Sequence, residues 1–230
     1  MRNALPENHT PAEITDFVAR LRRLDACAVS DAFDRLGLTG VVTGVPQQAG
    51  SGRIAGRAVT FKVGLGEPQA GPVRHLGTMA VEAAGPDDVI VVEQRSGLDA
   101  GCWGGLLTLG AKMRGVAGVV ADGPVRDIDE ARAYGFPIFA RVLTARTARG
   151  RVVELSVGAP VAFHGVRVDP GDYLIADASA IVVIAAAHIS KVLEVAEDIV
   201  VKEAAMAKAL MTGASIAAVM GGAYEHMLKS

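Results

Sequence analysis

Two glycine-rich turns, separated by one helix-like and one strand-like run, constrain this chain more than any other feature. The first is Gly104-Gly105-Leu106-Leu107 and the second is Asp122-Gly123-Pro124-Val125-Arg126-Asp127. Between them, Trp103 to Arg114 is amphipathic and closed by Gly115, and Val116 to Ala121 is an apolar run of buried-strand length. Such a unit can return both turns to one edge of a sheet, where α/β proteins bind ligands. Arg126 offers a planar fork for a carboxylate, Asp127 a hard oxygen ligand, and the glycines expose N–H groups at two helix starts. The combination points to an anionic substrate held with a divalent metal. One carboxylate completed by water suits Mg²⁺ or Mn²⁺ better than Zn²⁺. The plain alternative is a surface pair at a helix start, with Asp127, Asp129 and Glu130 placed there by the helix dipole.

The rest of the chain reads as the frame for these turns. Pro11 to Leu24 has apolar residues at helical spacing, with Thr10 as N-cap, and a second helix runs from near Asp25 to Gly37. Asp31 and Asp34 on it read as polar-face or capping groups. Arg53 to Val63 is strand-like; a Gly/Pro loop then leads to a helix over about 73–84, with His75 at its start as a packing residue. Val89 to Val92 is a short buried strand, the helix after Asp127 stops at Gly135-Phe136-Pro137, and Ile138-Phe139-Ala140 is another strand. Beyond it Arg151–Leu155, Val161–His164, Tyr173–Ala176 and Ile181–Ile184 predict an antiparallel or mixed β layer, with His164 on a strand. From His188 a long helical tail follows, with a break expected near Lys202 and an end or bend at Gly213-Ala214-Ser215. The expected architecture is α/β, one domain over 1–230, with N-terminal helices over 1–37 and a helical tail over 188–230.

Composition narrows the function. A formal net charge of −2 with interspersed signs provides no basic stripe for nucleic acid. No apolar run reaches the roughly 20 residues of a membrane span, and the first residues lack the apolar core of a signal peptide, so the expectation is cytoplasmic. Cys27 and Cys102 have no metal-ligand spacing and read as thiols; Cys102 lies close to the first turn but has no nearby base to make it a nucleophile.

With Trp103-Gly104-Gly105-Leu106-Leu107, the Arg114-Gly115 helix end and Ala121-Asp122-Gly123-Pro124-Val125-Arg126-Asp127 in view, the chain resembles the RraA-like family. The likeness runs from Val29-Ser30-Asp31-Ala32 to Pro170-Gly171-Asp172. That family includes metal-dependent 4-hydroxy-4-methyl-2-oxoglutarate and 4-carboxy-4-hydroxy-2-oxoadipate aldolases, and its namesake regulates a ribonuclease by protein contact. The resemblance implies a swivelling β/β/α fold, homotrimers or homohexamers with sites between subunits, and pyruvate-forming lyase chemistry on a small 2-oxo acid. It implies substrate binding by the turn at Gly104, Gly105, Leu106 and Leu107 and by Arg126, a metal on Asp127, and an acid from a neighbouring subunit, matched to Glu203. A non-catalytic protein-binding regulator is the alternative, against which the retained Asp127 argues. A methyltransferase role lacks a glycine-rich nucleotide loop followed by a ribose-binding acid.

One departure matters. The aldolases carry an acid where this chain has Gly105. That acid supports removal of the substrate hydroxyl proton in aldol cleavage, whereas decarboxylation of a 3-oxo acid such as oxaloacetate removes no such proton. The expectation therefore shifts towards decarboxylation, with Asp99, Glu93 or a partner-chain carboxylate as possible substitutes.

Overall fold

The computed structural model describes residues 9–67 and 74–221. Helix α1 (Pro11–Leu21) starts with a capping box in which Thr10 and Glu13 bond reciprocally, and α2 (Ala26–Leu36) starts at the Asp25 side chain and stops at left-handed Gly37. The following elements are β1 (Val41–Val42), β2 (Gln47–Ala49), β3 (Ile54–Gly64), α3 (Thr78–Ala83), β4 (Asp88–Gln94), α4 (Gly105–Met113), β5 (Gly118–Asp122), α5 (Ile128–Tyr134) and β6 (Ile138–Ala140). Then come β7 (Val153–Val157), β8 (Val161–Phe163), β9 (Val166–Val168), β10 (Tyr173–Ala176), β11 (Ile181–Ile184), a 3₁₀ turn, α6 (Ile189–Met211) and α7 (Ile216–Val219).

Nine strands form one mixed sheet in the order β1-β11-β10-β3-β4-β5-β6-β2, with β7 also pairing with β3. Strands β3 to β6 are mutually parallel, and the other pairings are antiparallel. The four parallel strands read as continuous apolar runs because both faces are covered. One face packs on α3, α4 and α5 through Phe61, Ile90, Val92 and Val119; the other carries Val91, Val120 and Phe139 beneath the β8–β9 hairpin. A third cluster joins α1, α2 and α6 to Tyr173, Ile175 and Ile184.

Several expectations change here. The late strands are not a separate layer, since β7, β10 and β11 join the central sheet. The helix expected over 73–84 begins only at Thr78, after Gly77 at φ 80, and residues 68–73 lie outside the described residues. His75 therefore precedes the helix, its Nδ1 on Leu76 O at 2.9 Å. Helix α6 does not break at Lys202, whose ammonium meets Asp198 one turn earlier at 2.9 Å and braces the helix there. His164 is not on a strand; it is a turn residue at φ 46 between β8 and β9.

Candidate active site

Because β4 and β5 are parallel neighbours, the segments leaving them reach the same sheet edge. Short parallel bridges continue the alignment there, Trp103 with Val125 and Val125 with Leu143. Arg126 N–H donates to Trp103 O at 3.0 Å, and Cys102 N–H donates to Pro124 O at 2.8 Å, locking the two glycine turns together. Trp103, 1% exposed, donates from Nε1 to Thr108 Oγ1 at 2.9 Å; that hydroxyl donates to Gly104 O at 2.9 Å. The indole thus fixes the start of α4.

Asp127 precedes α5 in the left-handed conformation, φ 58 and ψ 38, and does not cap its own helix. Its carboxylate turns to the opposite turn instead. Oδ2 accepts from Gly105 N–H at 3.0 Å and Oδ1 from Arg126 Nε at 3.1 Å. This resolves how adjacent residues border one cleft: Asp127 and Arg126 form an ion pair at the start of α5, with the Asp127 carboxylate turned to the Gly105 N–H rather than to its own helix. Both side chains remain about one-third exposed, on an open cleft of about 550 Å³ lined by residues 125–130 and Leu143, Thr144 and Ala145. Asp127 takes the Gly105 N–H and the N-cap Gly104 has no side chain to offer, so Leu106 and Leu107 carry first-turn N–H groups without intrahelical acceptors.

Sequence reasoning missed Glu130. It lies in the first turn of α5, three residues after Asp127, on the same helix side. A Cβ built on Gly105 would fall inside the van der Waals shell of Glu130 Oε2, 2.9 Å from Glu130 Cδ and 3.3 Å from Asp127 Cβ. Gly105 is therefore the vacancy into which Glu130 reaches. The two residues named as substitutes are engaged elsewhere: Glu93 is buried against Lys62 and Ala162 N–H, and Asp99 pairs with Arg146 at 2.9 Å.

Other candidates fall outside the cleft. Glu203 lies on α6, where burial and then Asp31 and Asp25 of the same chain raise its carboxyl above the usual range; it is not among the cleft residues. Cys102 is fully buried and burial pushes its thiol up to about 12, which removes it as a nucleophile. Among the described residues no group of three or more His, Cys, Asp or Glu is arranged for a metal. Asp127 and Glu130 are the two carboxylates that border the Gly105 turn, oxygen groups of the kind that Mg²⁺ and Mn²⁺ take while keeping most of their water.

Fold and site together define an α/β protein of the swivelling β/β/α class, with an Arg–carboxylate cleft at the C-terminal edge of parallel strands. Residues 26–183 match the RraA-like family, described as Aldolase/RraA, and the chain belongs to that family. A Halalkalibacterium halodurans protein, provisionally named a 4-hydroxy-4-methyl-2-oxoglutarate aldolase, is 31% identical over 81% of this chain and 84% of its own length. Legionella pneumophila DlpA is 25% identical over 91% of the chain, which spans only 35% of that longer protein. Among solved structures, an uncharacterised Pseudomonas syringae protein superposes with a TM-score of 0.78 at 26% identity, covering 90% of this chain and 98% of that one. Streptomyces coelicolor RraAS2, of the RNase ES inhibitor RraA family, gives a TM-score of 0.70 at 27% identity, covering 80% and 92%. No helix among the described residues is long and apolar enough to cross a membrane.

Proposed function

We propose that this protein is a divalent-metal-dependent carbon–carbon lyase that releases a pyruvate enolate from 2-oxo dicarboxylates, by aldol cleavage, by oxaloacetate decarboxylation or by both. The observation that carries the reading is Glu130 reaching into the space left by Gly105, beside Asp127. Asp127 would hold Mg²⁺ or Mn²⁺ directly, and Glu130 would hold it through the ion's waters. When bound, the metal supplies Lewis-acid polarisation of the 2-oxo acid's oxygens.

The chain's own groups do the rest. Arg126 spends Nε on Asp127 and keeps its two terminal nitrogens for the substrate carboxylate or the enolate oxygen. The N–H groups of Leu106 and Leu107 face the same anion from the start of α4. In aldol cleavage the 4-hydroxyl proton passes to a carboxylate as the C3–C4 bond breaks and its electron pair enters the enolate; Glu130 is the acceptor in place. In decarboxylation the departing carboxylate leaves as CO₂ with no proton to remove. Leu106, 87% exposed, and Met113, 78% exposed, present an apolar α4 face beside the turn, which supports a homotrimer or homohexamer with clefts between subunits. In such an assembly Glu203 of one copy would serve the cleft of another.

The test is pyruvate release from oxaloacetate and from 4-hydroxy-2-oxo acids, with Mg²⁺, with Mn²⁺ and after chelation. Metal-dependent turnover is expected on at least one substrate. No turnover on any would favour the protein-binding regulator, the reading that the likeness to RraAS2 supports.

A further inference from the structure

A second polar cluster lies on the opposite face of the sheet from α4 and α5. Lys62, Glu93 and Asp122 are register partners across β3, β4 and β5, forming a charged row at the edge where the site is built. The β8–β9 hairpin closes over that row. Ala162 N–H donates to Glu93 Oε2 at 2.7 Å, and His164 N–H donates to Asp122 Oδ2 at 2.9 Å. The imidazole lies alongside, with Nδ1 3.3 Å from Asp122 Oδ1. The hairpin turns at His164 and Gly165, both at positive φ, and among the described residues His164 and Asp127 are the only non-glycines in that region. A histidine at a turn position favouring Asn or Gly has been placed there at some conformational cost.

Among the described residues the other ring nitrogen has no partner. His164 Nε2 is buried without a hydrogen bond, in a side chain only 9% exposed whose ring meets Phe163 edge-on at 4.8 Å. A neutral ring that carries its proton on Nδ1, the nitrogen beside Asp122, tolerates this, because Nε2 is then a bare acceptor. A proton at Nε2 would create a buried, charged donor with no acceptor, a costly state that lifting the hairpin into water relieves. Lifting would also take the His164 N–H and the ring beside it from Asp122, the residue that leads from β5 into the Arg126-Asp127 turn.

We infer that His164 is a positioning residue, a latch that in its neutral form holds the β8–β9 hairpin on Asp122 and releases it on taking a proton at Nε2. The charged groups facing the ring are Asp122 at the end of β5, Arg95 beyond β4 and Arg141 beyond β6, with Glu93 and Lys62 further along the row. Burial pushes the imidazole below its usual 6.5; Asp122 opposes the shift, while Arg141 and Arg95 add to it. The closed hairpin thus binds its proton less readily than the open one. Its stability is fully present above 6.5 and is lost as pH falls from there towards the lower closed-state value. Any effect on turnover rests on the lyase reading; the latch itself does not.

The test is hydrogen exchange on the full chain at about pH 7.5 and about pH 5, corrected for intrinsic rates, in the wild type and in His164→Asn. Asparagine accepts positive φ and can donate to Asp122 but cannot titrate. Protection of the Ala162 and His164 amides should fall about fivefold or more on acidification in the wild type, and should not fall in His164→Asn. Equal wild-type protection at both pH values, or the same fall in the variant, would overturn the latch. Should the variant not fold, NMR titration of the wild type decides. His164 titrating below 6.5 together with the hairpin amides supports the proposal, and titration above 6.5 or without amide changes overturns it. Exchange needs no turnover, so an inactive protein with a working latch would count against the lyase alone.

Discussion

Glu130 reaches across from α5 to the very side of Gly105 on which a side chain would project, so that a side chain at position 105 would displace the Glu130 carboxylate from its present place. A missing acid and a displaced acid are different things. On the proposed lyase reading, Glu130 takes the place of the acid that Gly105 lacks.

The relocation predicts a compensating pair. Glu130→Ala should lower pyruvate release on the order of 10²-fold, and adding Gly105→Asp to that variant should recover most of it. Steady-state rates of the three proteins check this. No recovery in the double variant would separate Glu130 from the role of an acid at position 105.

Glu130→Gln should separate the two reactions. The amide keeps the volume of the carboxylate but takes no proton, so aldol cleavage should fall by about tenfold more than oxaloacetate decarboxylation. The ratio of the two kcat/KM values, measured on one preparation, reads the difference.

Arg126→Lys should cost about 10² in kcat/KM despite the retained charge. Arg126 is held by Nε on Asp127 while its terminal nitrogens face the cleft, and an ammonium cannot make both sets of contacts.

Thr108→Val tests the support behind the turn. It leaves the Trp103 Nε1–H buried without its acceptor and frees Gly104 O from the hydroxyl, costing about 1–3 kcal/mol in thermal or denaturant unfolding. A stability unchanged from the wild type would mean that the indole does not anchor α4.

The thiols should behave oppositely. Cys102 is fully buried with its thiol pushed up to about 12, whereas Cys27 is exposed. Alkylation of the native protein followed by peptide mass spectrometry should label Cys27 and leave Cys102 unmodified.

How much of this was legible beforehand follows from which interactions are local. The meeting of Gly104, Gly105, Arg126 and Asp127 was readable because a strand, helix and strand in succession place their ends at one parallel edge. Glu130 was not, because its relation to Gly105 depends on the packing of α5 against α4, which periodicity does not encode. The available signal was slight: an acid three residues after Asp127, which equally fits the helix dipole. His164 was misplaced because Val161-Ala162-Phe163-His164 continues a strand alternation and His-Gly is a rarer turn signal than Asn-Gly. The joining of β7, β10 and β11 to the central sheet was hidden for a similar reason, since β3 offers one part of its length to β10 and another to β7.

Titration of Mn²⁺ into the purified chain, followed by calorimetry or electron spin resonance, tests most directly the proposal that Asp127 and Glu130 together hold a divalent ion beside Arg126. Asp127→Asn is the suitable partner variant, because asparagine accepts the left-handed backbone at this position and can still receive the Gly105 N–H. The wild type should bind Mn²⁺, and Asp127→Asn and Glu130→Gln should each weaken that binding by about tenfold or more. Wild-type affinity retained in both variants would place the metal elsewhere and contradict the account.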